Sequence, residues 1–176
     1  MTEKPLHFVK RRNYQSIVKD KVVRLRYALF DLDAGEQVLA YRDDLYYLHG
    51  RYGGAFPKVE EALEGLGVDA KVEVDLAPEE AYGSRDPGLV LQVLADELPP
   101  EVRRVGAEIE GEAENGDTRR FRVTRVEDGV VTLDGNHPLA GRRLRFVLEV
   151  LDIREARPEE IEAGYAFAPG ADRDRG

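Results

Sequence analysis

Residues 21–29 read Lys-Val-Val-Arg-Leu-Arg-Tyr-Ala-Leu, and apolar side chains alternate with charged ones along them. One face of this segment carries Val23, Leu25, Tyr27 and Leu29. The opposite face carries Arg24 and Arg26. Such alternation is typical of a β-strand with one buried face and one wet face. The sequence therefore predicts a strand that ends at the turn residues Asp33-Ala-Gly35.

Further regular segments lie on both sides of the middle of the chain. A helix is predicted to begin at Pro57, because apolar residues recur at helical spacing after it: Val59, Ala62, Leu63 and Leu66. Gly67 is expected just past its end, and its outer face carries Glu60, Glu61 and Glu64. Residues 71–76 and 144–150 alternate as strands. Several antiparallel strands and a single short helix predict an α+β fold in which a small sheet wraps around that helix.

The middle of the chain has a different, β-rich character. An apolar run, Leu89-Val-Leu-Gln-Val-Leu94, precedes a break at Pro99-Pro100 and turn signals at Asn115-Gly116 and Asp128-Gly129. Because the earlier alternation resumes at Leu144, this piece is predicted to be a small domain inserted in a loop. The predicted division is a basic N-terminal extension (1–18), a discontinuous first domain (19–86 and 137–157), the insert (87–136) and a C-terminal tail (158–176).

Length and composition exclude several classes of protein. The 176 residues suffice for one ordinary domain or two small ones. The absence of cysteine excludes disulfide scaffolds, thiol catalysis and cysteine-ligated zinc. A net charge of −9 argues against general binding of nucleic acid and favours a monomer. Since no apolar run could span a membrane and no apolar signal segment is present, we expect a cytoplasmic protein without a membrane partner.

The N-terminal segment is basic although the whole chain is acidic. Residues 1–21 contain Glu3 and Asp20 and six basic side chains: Lys4, Lys10, Arg11, Arg12, Lys19 and Lys21. One interpretation is a solvated leader that packs on the domain through Phe8, Tyr14 and Ile17. The other is a tether to RNA or to the ribosome.

No classical catalytic group stands out in the sequence. His7, His49 and His137 lack the spacing of metal ligands and are expected at turns or on the surface, so no metal or other cofactor is predicted. Neither Ser16 nor Ser84 lies in a nucleophile motif. Prolyl cis–trans isomerisation needs no such group, because its barrier of roughly 18–20 kcal/mol is the loss of amide resonance. An apolar, aromatic pocket that binds the twisted amide better than the planar one would suffice.

Six short motifs follow one another along the chain: Lys21-Val-Val-Arg-Leu-Arg-Tyr27, Tyr47-Leu-His-Gly50, Phe56-Pro-Lys-Val-Glu60, Ala81-Tyr-Gly83, Asp134-Gly-Asn-His-Pro-Leu-Ala-Gly141 and Leu144-Arg-Phe146. This ordered set resembles SlyD-like FKBP-type peptidyl-prolyl cis-trans isomerases. The resemblance extends from about Lys19 to Arg157. It implies an FKBP-like antiparallel sheet half-wrapped around one short helix, interrupted by an insert-in-flap chaperone domain that captures unfolded chains.

The resemblance also implies the residues of the isomerase pocket. They are Tyr27, Leu45, Phe56, Val59, Tyr82 and Phe146, with Tyr82 donating a hydrogen bond to the substrate carbonyl. Tyr27, Val59 and Phe146 are equally the residues that a core strand and helix would bury. In the insert, Leu89, Val90, Leu91, Val93 and Leu94 are the expected client-binding surface if they are exposed; burial inside the insert is the alternative.

Three departures from the family pattern bear on activity. Leu39 follows Val38 where relatives have an aspartate, Phe56 is larger than the usual β-branched residue, and Lys58 replaces a glycine. The tail lacks the histidine-rich metal-binding tract of relatives, so nickel storage is not expected. We favour an isomerase and folding helper acting on unfolded or proline-containing polypeptides. The alternative is a holdase chaperone or binding module whose isomerase pocket is weakened or inactive.

Overall fold

A computed structural model describes residues 15–35, 37–112 and 115–169. The predicted packing of Phe8 and Tyr14, and the basic residues before them, lie outside the described residues. The chain divides into two compact units, Met1–Glu80 with Arg143–Gly176 and Ala81–Arg142. In the described part, the strands are β1 (Lys21–Asp31), β2 (Gln37–Leu48), β3 (Lys71–Leu76), β4 (Val90–Leu94), β5 (Glu108–Glu112), β6 (Thr118–Glu127), β7 (Val130–Asp134) and β8 (Leu144–Glu155). The helices are α1 (Pro57–Leu63) and α2 (Pro158–Ala163).

The first unit is built on an antiparallel sheet in the order β2-β1-β8-β3. The predicted inner faces of β1 and β8 are buried at Leu25, Leu29, Leu144 and Leu148. Since Leu29 pairs with Phe146 and Leu25 with Val150, the apolar faces of these two strands coincide. Together with α1, this sheet confirms the predicted α+β fold.

Helix α1 begins at Pro57 as predicted but ends earlier than the sequence suggested. It ends at Leu63, and Gly65 then adopts a φ of +79°, which a glycine reaches at little cost. Leu66 therefore lies beyond the helix, and Gly67 is not its terminator. The prediction that Glu60 lies on the outer face is wrong, because Glu60 is buried and accepts hydrogen bonds from the backbone N–H groups of Gly50 and Arg51.

Both ends of the first unit include residues of the predicted extension and tail, and Ile17 packs on the domain as the first interpretation of the extension expected. Ile17 is completely buried, and its backbone exchanges hydrogen bonds with Leu66 and Gly65, so the chain already belongs to the unit before residue 19. At the other end, α2 was not predicted. Glu160 of α2 is fully buried and bonded to Arg154 of β8, which ties the first part of the expected tail to the sheet.

The second unit is a separate antiparallel sheet in the order β4-β7-β6-β5. Its core consists of Ala107, Val123, Val131 and Leu133. The predicted turn at Asp128-Gly129 joins β6 to β7, and both residues have positive φ, as a tight hairpin turn requires.

The flanks of the predicted insert (87–136) are also part of the second unit. The backbone N–H of Asp86 donates to the Asn136 side chain, and that of Gly141 donates to the carbonyl of Gly83. These bonds join the two chain segments that lead into and out of the sheet, which explains why the unit extends beyond the predicted boundaries. None of the described helices is long and apolar enough to cross a membrane.

Candidate functional site

An aromatic cluster lies on the inner face of the sheet of the first unit. The ring centroids of Tyr27 and Phe146 are 5.6 Å apart, and those of Phe56 and Phe146 are 6.0 Å apart. Both pairs are tilted, which is a favourable arrangement for aromatic rings. Phe146 is thus the central ring, and we name these three residues the aromatic cluster.

The local folds explain how the three rings meet. Tyr27 and Phe146 come from neighbouring strands, at positions that share the inner face of β1 and β8. Phe56 is the residue before α1, and the proline at the start of that helix fixes the direction in which the chain enters it. Phe146 is 9% exposed, whereas Tyr27 and Phe56 are half-buried. The central ring of the cluster is therefore buried, and the two outer rings are accessible to solvent.

Leu45 and Val59 belong to the same unit as the aromatic cluster. Leu45 of β2 pairs with Leu25 of β1, which puts it on the face that also carries Tyr27. It is half-buried, while Val59 of α1 is buried. Val74 of β3 pairs with Phe146 and adds to the apolar surroundings. The first unit therefore contains five of the six residues that the family resemblance assigned to the pocket, and of these the structure brings Tyr27, Phe56 and Phe146 into contact.

Tyr82, the sixth residue, belongs to the second unit. Its ring stacks on His137, with centroids 4.1 Å apart and planes 6° from parallel. The hydrogen bond from Tyr82 to a substrate carbonyl stays a prediction.

The residues that depart from the family pattern have defined positions. Leu39 lies on β2, at the edge of the sheet, and is partly exposed. Lys58 points its ammonium group at Glu80, whose Oε2 is 3.1 Å away and also accepts the N–H of Ala77. The hydrogen bond from Ala77, followed by that from Lys58, lowers the pKa of the Glu80 carboxyl. The extra side chain at position 58 is thus held in an ion pair on the surface.

The predicted client-binding residues form most of β4, an edge strand of the second unit. Val90, Leu91 and Leu94 are 38%, 42% and 55% exposed. Val93 instead packs against the core of the unit, and Leu89, which precedes the strand, is half-buried. An edge strand with exposed apolar side chains is a surface on which another extended chain can pair.

A buried polar network beside α1 was missed by the sequence analysis. His49 lies in the turn after β2, as one of the two expectations had it, but it is buried, and its Nδ1 lies 2.9 Å from the hydroxyl of Tyr47. Its Nε2 bonds to the carboxylate of Glu64. Burial, reinforced by Glu60 and Glu64, raises the pKa of Tyr47, so this tyrosine stays a proton donor. His49 therefore fixes the Tyr47-Leu-His-Gly50 motif to the helix, and a buried histidine of this kind has no signal in sequence periodicity.

Comparisons with known proteins provide independent information on ancestry. No protein-family model matches the chain. The chain is 38% identical over 154 residues to the FKBP-type peptidyl-prolyl cis-trans isomerase SlyD of Escherichia coli (strain K12), covering 85% of this chain and 76% of that protein. Proteins of the same name from Aeromonas hydrophila and Treponema pallidum (strain Nichols) are 36% and 34% identical. The matches cover 85% and 84% of this chain, and 70% and 84% of those proteins, respectively.

Proposed function

Because the chain belongs to the SlyD family of FKBP-type peptidyl-prolyl cis-trans isomerases, we propose that its aromatic cluster binds the X-Pro bond and stabilises the twisted amide. The chain is an isomerase of this class and a folding helper, and its substrates are proline-containing polypeptides. The proposal concerns where the reaction takes place and which side chains accelerate it.

The single observation that carries the proposal is the arrangement of the three rings. Phe146 contacts both Tyr27 and Phe56, and Val74 of β3 lies opposite it in the sheet. A planar amide separates charge by resonance, whereas a twisted amide does so less. An apolar environment that excludes water therefore raises the free energy of the planar form relative to the twisted one.

This mechanism breaks no covalent bond and transfers no proton. The proline ring packs among the aromatic rings while the C–N bond rotates, and each 1.4 kcal/mol of preference for the twisted form accelerates the reaction about tenfold.

We further propose that β4 binds unfolded clients. Val90, Leu91 and Leu94 offer apolar contacts, and the strand edge offers backbone hydrogen bonds. Binding a client on the same chain as the isomerase raises the local concentration of its X-Pro bonds. The exposure of Val90, Leu91 and Leu94 supports this proposal, since burial inside the insert was the alternative.

One experiment on the full-length chain tests both proposals with two readouts. The chain is expected to accelerate isomerisation of a prolyl tetrapeptide and to bind a permanently unfolded, carboxymethylated protein. Leu91→Asp is expected to weaken client binding at least about tenfold, because it puts a charge on the apolar surface. Val105→Asp is the matched control, because Val105 is 66% exposed and lies outside β4.

The outcomes separate the competing functions. Client binding without acceleration of the tetrapeptide would contradict the isomerase mechanism and favour a holdase. Equal client binding by Leu91→Asp and the parent chain would refute the assignment of β4. Equal weakening by the two aspartate variants would refute it as well, since a general effect of charge would then suffice.

A further inference from the structure

A cation flanks the aromatic cluster on the edge strand of its sheet. In the pairing of β1 with β2, Arg42 lies opposite Tyr27. Residues that are directly opposed in an antiparallel pair have their side chains on the same face of the sheet, with Cβ atoms about 5 Å apart. Because the strand order is β2-β1-β8, Arg42 lies on the side of Tyr27 away from Phe146. A peptide that crosses the cluster toward β2 therefore passes this guanidinium group.

A bulge in β2 sets the position of this arginine. Between the pair formed by Leu45 and the pair formed by Arg42, β1 has one residue, whereas β2 has two, Asp43 and Asp44. An extra residue of this kind bends the strand and re-aims the neighbouring side chains. It lets Leu45 and Arg42 share the face of Tyr27, although simple alternation would put residues three positions apart on opposite faces.

The ion pair that holds Arg42 is exposed to solvent. Its Nε donates a hydrogen bond to Oδ1 of Asp44 at 3.1 Å, and the two side chains are 53% and 64% exposed. Exposed pairs of this kind stabilise a protein little, because water screens the charges and two side chains lose freedom. A carboxylate that arrives with a bound peptide can therefore replace Asp44 as the partner of Arg42.

The charges around Arg42 support its placement beside the aromatic cluster. The hydrogen bond to Asp44 and the charge of that carboxylate raise the pKa of Arg42, and the phenol of Tyr27 adds a smaller effect in the same direction. A charge effect weakens with distance, so this one agrees with a guanidinium group close to the Tyr27 ring.

Asp44 has a second arginine beside it. The pKa of Asp44 is lowered mainly by the hydrogen bond and charge of Arg42, and also by the charge of Arg24. The Arg24 guanidinium lies over the ring of Tyr46, with its Cζ 5.8 Å from the ring centroid, and its Nε has no hydrogen-bond partner among the described residues. Asp44 therefore keeps a nearby cation when Arg42 turns to another carboxylate, which makes the exchange less costly.

We propose that Arg42 selects X-Pro bonds that have an acidic residue next to the proline. This inference rests on the proposed function, because it requires the proline to bind at the aromatic cluster. The carboxylate of the acidic residue takes the place of Asp44 and accepts a charge-assisted hydrogen bond from the guanidinium group. Arg42 takes no part in the rotation of the C–N bond. It binds the residue beside that bond and is thus a specificity-determining residue.

The spacing of the sheet explains why the selected residue is a direct neighbour of the proline. Adjacent strands are about 4.8 Å apart, and successive residues of an extended peptide advance about 3.5 Å. A proline over the rings of Tyr27 and Phe146 therefore puts the next residue toward β2 within reach of Arg42. A lysine at this place would approach Arg42 as a like charge.

The test measures kcat/KM at low ionic strength for pairs of prolyl tetrapeptides with glutamate or lysine directly before or directly after the proline. At one of these two positions, the parent chain is expected to isomerise the glutamate peptide about three- to fivefold faster, an effect typical of an exposed ion pair. Arg42→Gln should bring this glutamate-to-lysine ratio to about one, and Arg42→Glu should invert it. Because the ratio is measured within each variant, a general loss of activity or stability cancels.

Arg125→Gln is the matched control for loss of an exposed arginine. Arg125 pairs with Glu127 two positions further along β6, as Arg42 pairs with Asp44 along β2. The Arg125→Gln variant should keep the ratio of the parent chain within about 1.5-fold. An equal change of the ratio by Arg125→Gln and Arg42→Gln would show a general effect of charge and overturn the proposal.

A second pair of variants tests the exchange of partners. Asp44→Asn releases Arg42 and should raise the glutamate-to-lysine ratio about twofold above that of the parent chain. Asp43→Asn removes the same charge from the neighbouring exposed residue and should raise the ratio less. Equal ratios in these two variants would contradict the exchange and overturn the proposal.

A tetrapeptide with alanine on the N-terminal side of the proline separates this inference from the proposed function. If the parent chain accelerates its isomerisation and Phe146→Leu slows it, but glutamate and lysine peptides react equally fast, the selection by Arg42 is refuted and the proposed function stands. If the parent chain does not accelerate the alanine peptide, the proposed function fails and this inference fails with it.

Discussion

Replacing Phe146 with leucine is expected to lower kcat/KM for a prolyl tetrapeptide about thirtyfold. Phe146 is the ring that contacts both Tyr27 and Phe56, and leucine keeps the site apolar but removes both ring pairs. In the proposed mechanism the twisted proline packs against the Phe146 ring, and a loss of about 2 kcal/mol of this contact in the transition state corresponds to this factor. The measurement is the rate of cis–trans exchange at several peptide concentrations.

The control is Phe30→Leu in the same sheet. Phe30 is the neighbour of Leu29 in β1, so it lies on the opposite face from the aromatic cluster, and it is half-buried. It should lose similar packing but keep kcat/KM within about twofold of the parent value. If the two leucine variants lose activity equally, the effect comes from stability, and the aromatic cluster is not the catalytic site.

Replacing Glu160 with alanine is expected to lower the hydrogen-exchange protection of the Gly164 amide about a hundredfold. The buried carboxylate accepts two hydrogen bonds from Arg154, at 2.7 and 2.8 Å, and further ones from the N–H groups of Arg157 and Phe167. Removing it leaves these donors without their acceptor, at a cost of about 3 kcal/mol. The Gly164 amide reports on α2 because it donates to the backbone carbonyl of Glu160, which alanine retains.

The same carboxylate predicts an acid-sensitive attachment of α2. The hydrogen bonds from Arg154 outweigh the effect of burial and, with those from Arg157 and Phe167, lower the pKa of Glu160 to about 2. A carboxyl whose pKa is lower in the folded state stabilises that state above its usual pKa of 4.5 and loses the effect as the pH falls toward 2. Protection of Gly164 should therefore decrease over this range in the parent chain.

Two variants decide whether Glu160 is responsible. Glu160→Gln cannot ionise, so it should start with lower protection at neutral pH and lack the decrease between the two pKa values. Glu159→Gln changes an exposed residue of the same helix and should behave like the parent chain. A pH dependence that persists unchanged in Glu160→Gln would assign it to another group.

Alternating strands were the part of the fold that the sequence predicted best. Residues 21–29, 71–76 and 144–150 each show the period-two pattern that a sheet with one buried face imposes, and each lies in the expected strand. Because this pattern is local, each strand can be predicted without knowing which strands it pairs with. The fold class follows from it, together with the single clear helix signal at Pro57.

The features that were missed depend on partners far away in sequence. Glu60 looked like an outward-facing acid, but the backbone of Gly50 and Arg51 supplies donors that make its burial favourable. Glu160 is buried for the same reason, with Arg154 as its partner. Periodicity assigns charged residues to the surface and cannot foresee such bonds.

In the candidate site, too, some residues follow from the local sequence pattern and others do not. Tyr27 and Phe146 lie on predicted strands, and their shared face follows from the alternation and the pairing of β1 with β8. The contact of Phe56 with Phe146 requires the chain to enter α1 at a particular angle, which local sequence does not specify. The family resemblance, rather than spacing, identified Phe56 and Leu45 as candidates.

The most direct test of the proposed mechanism follows the aromatic rings by NMR while a prolyl tetrapeptide is added to the full-length chain. If the peptide binds where we propose, the largest shift changes will occur in the ring resonances of Tyr27, Phe56 and Phe146. Exchange between the cis and trans forms of the bound peptide should accelerate in parallel. Accelerated exchange with these three rings unperturbed would contradict the mechanism and place the reaction elsewhere in the molecule.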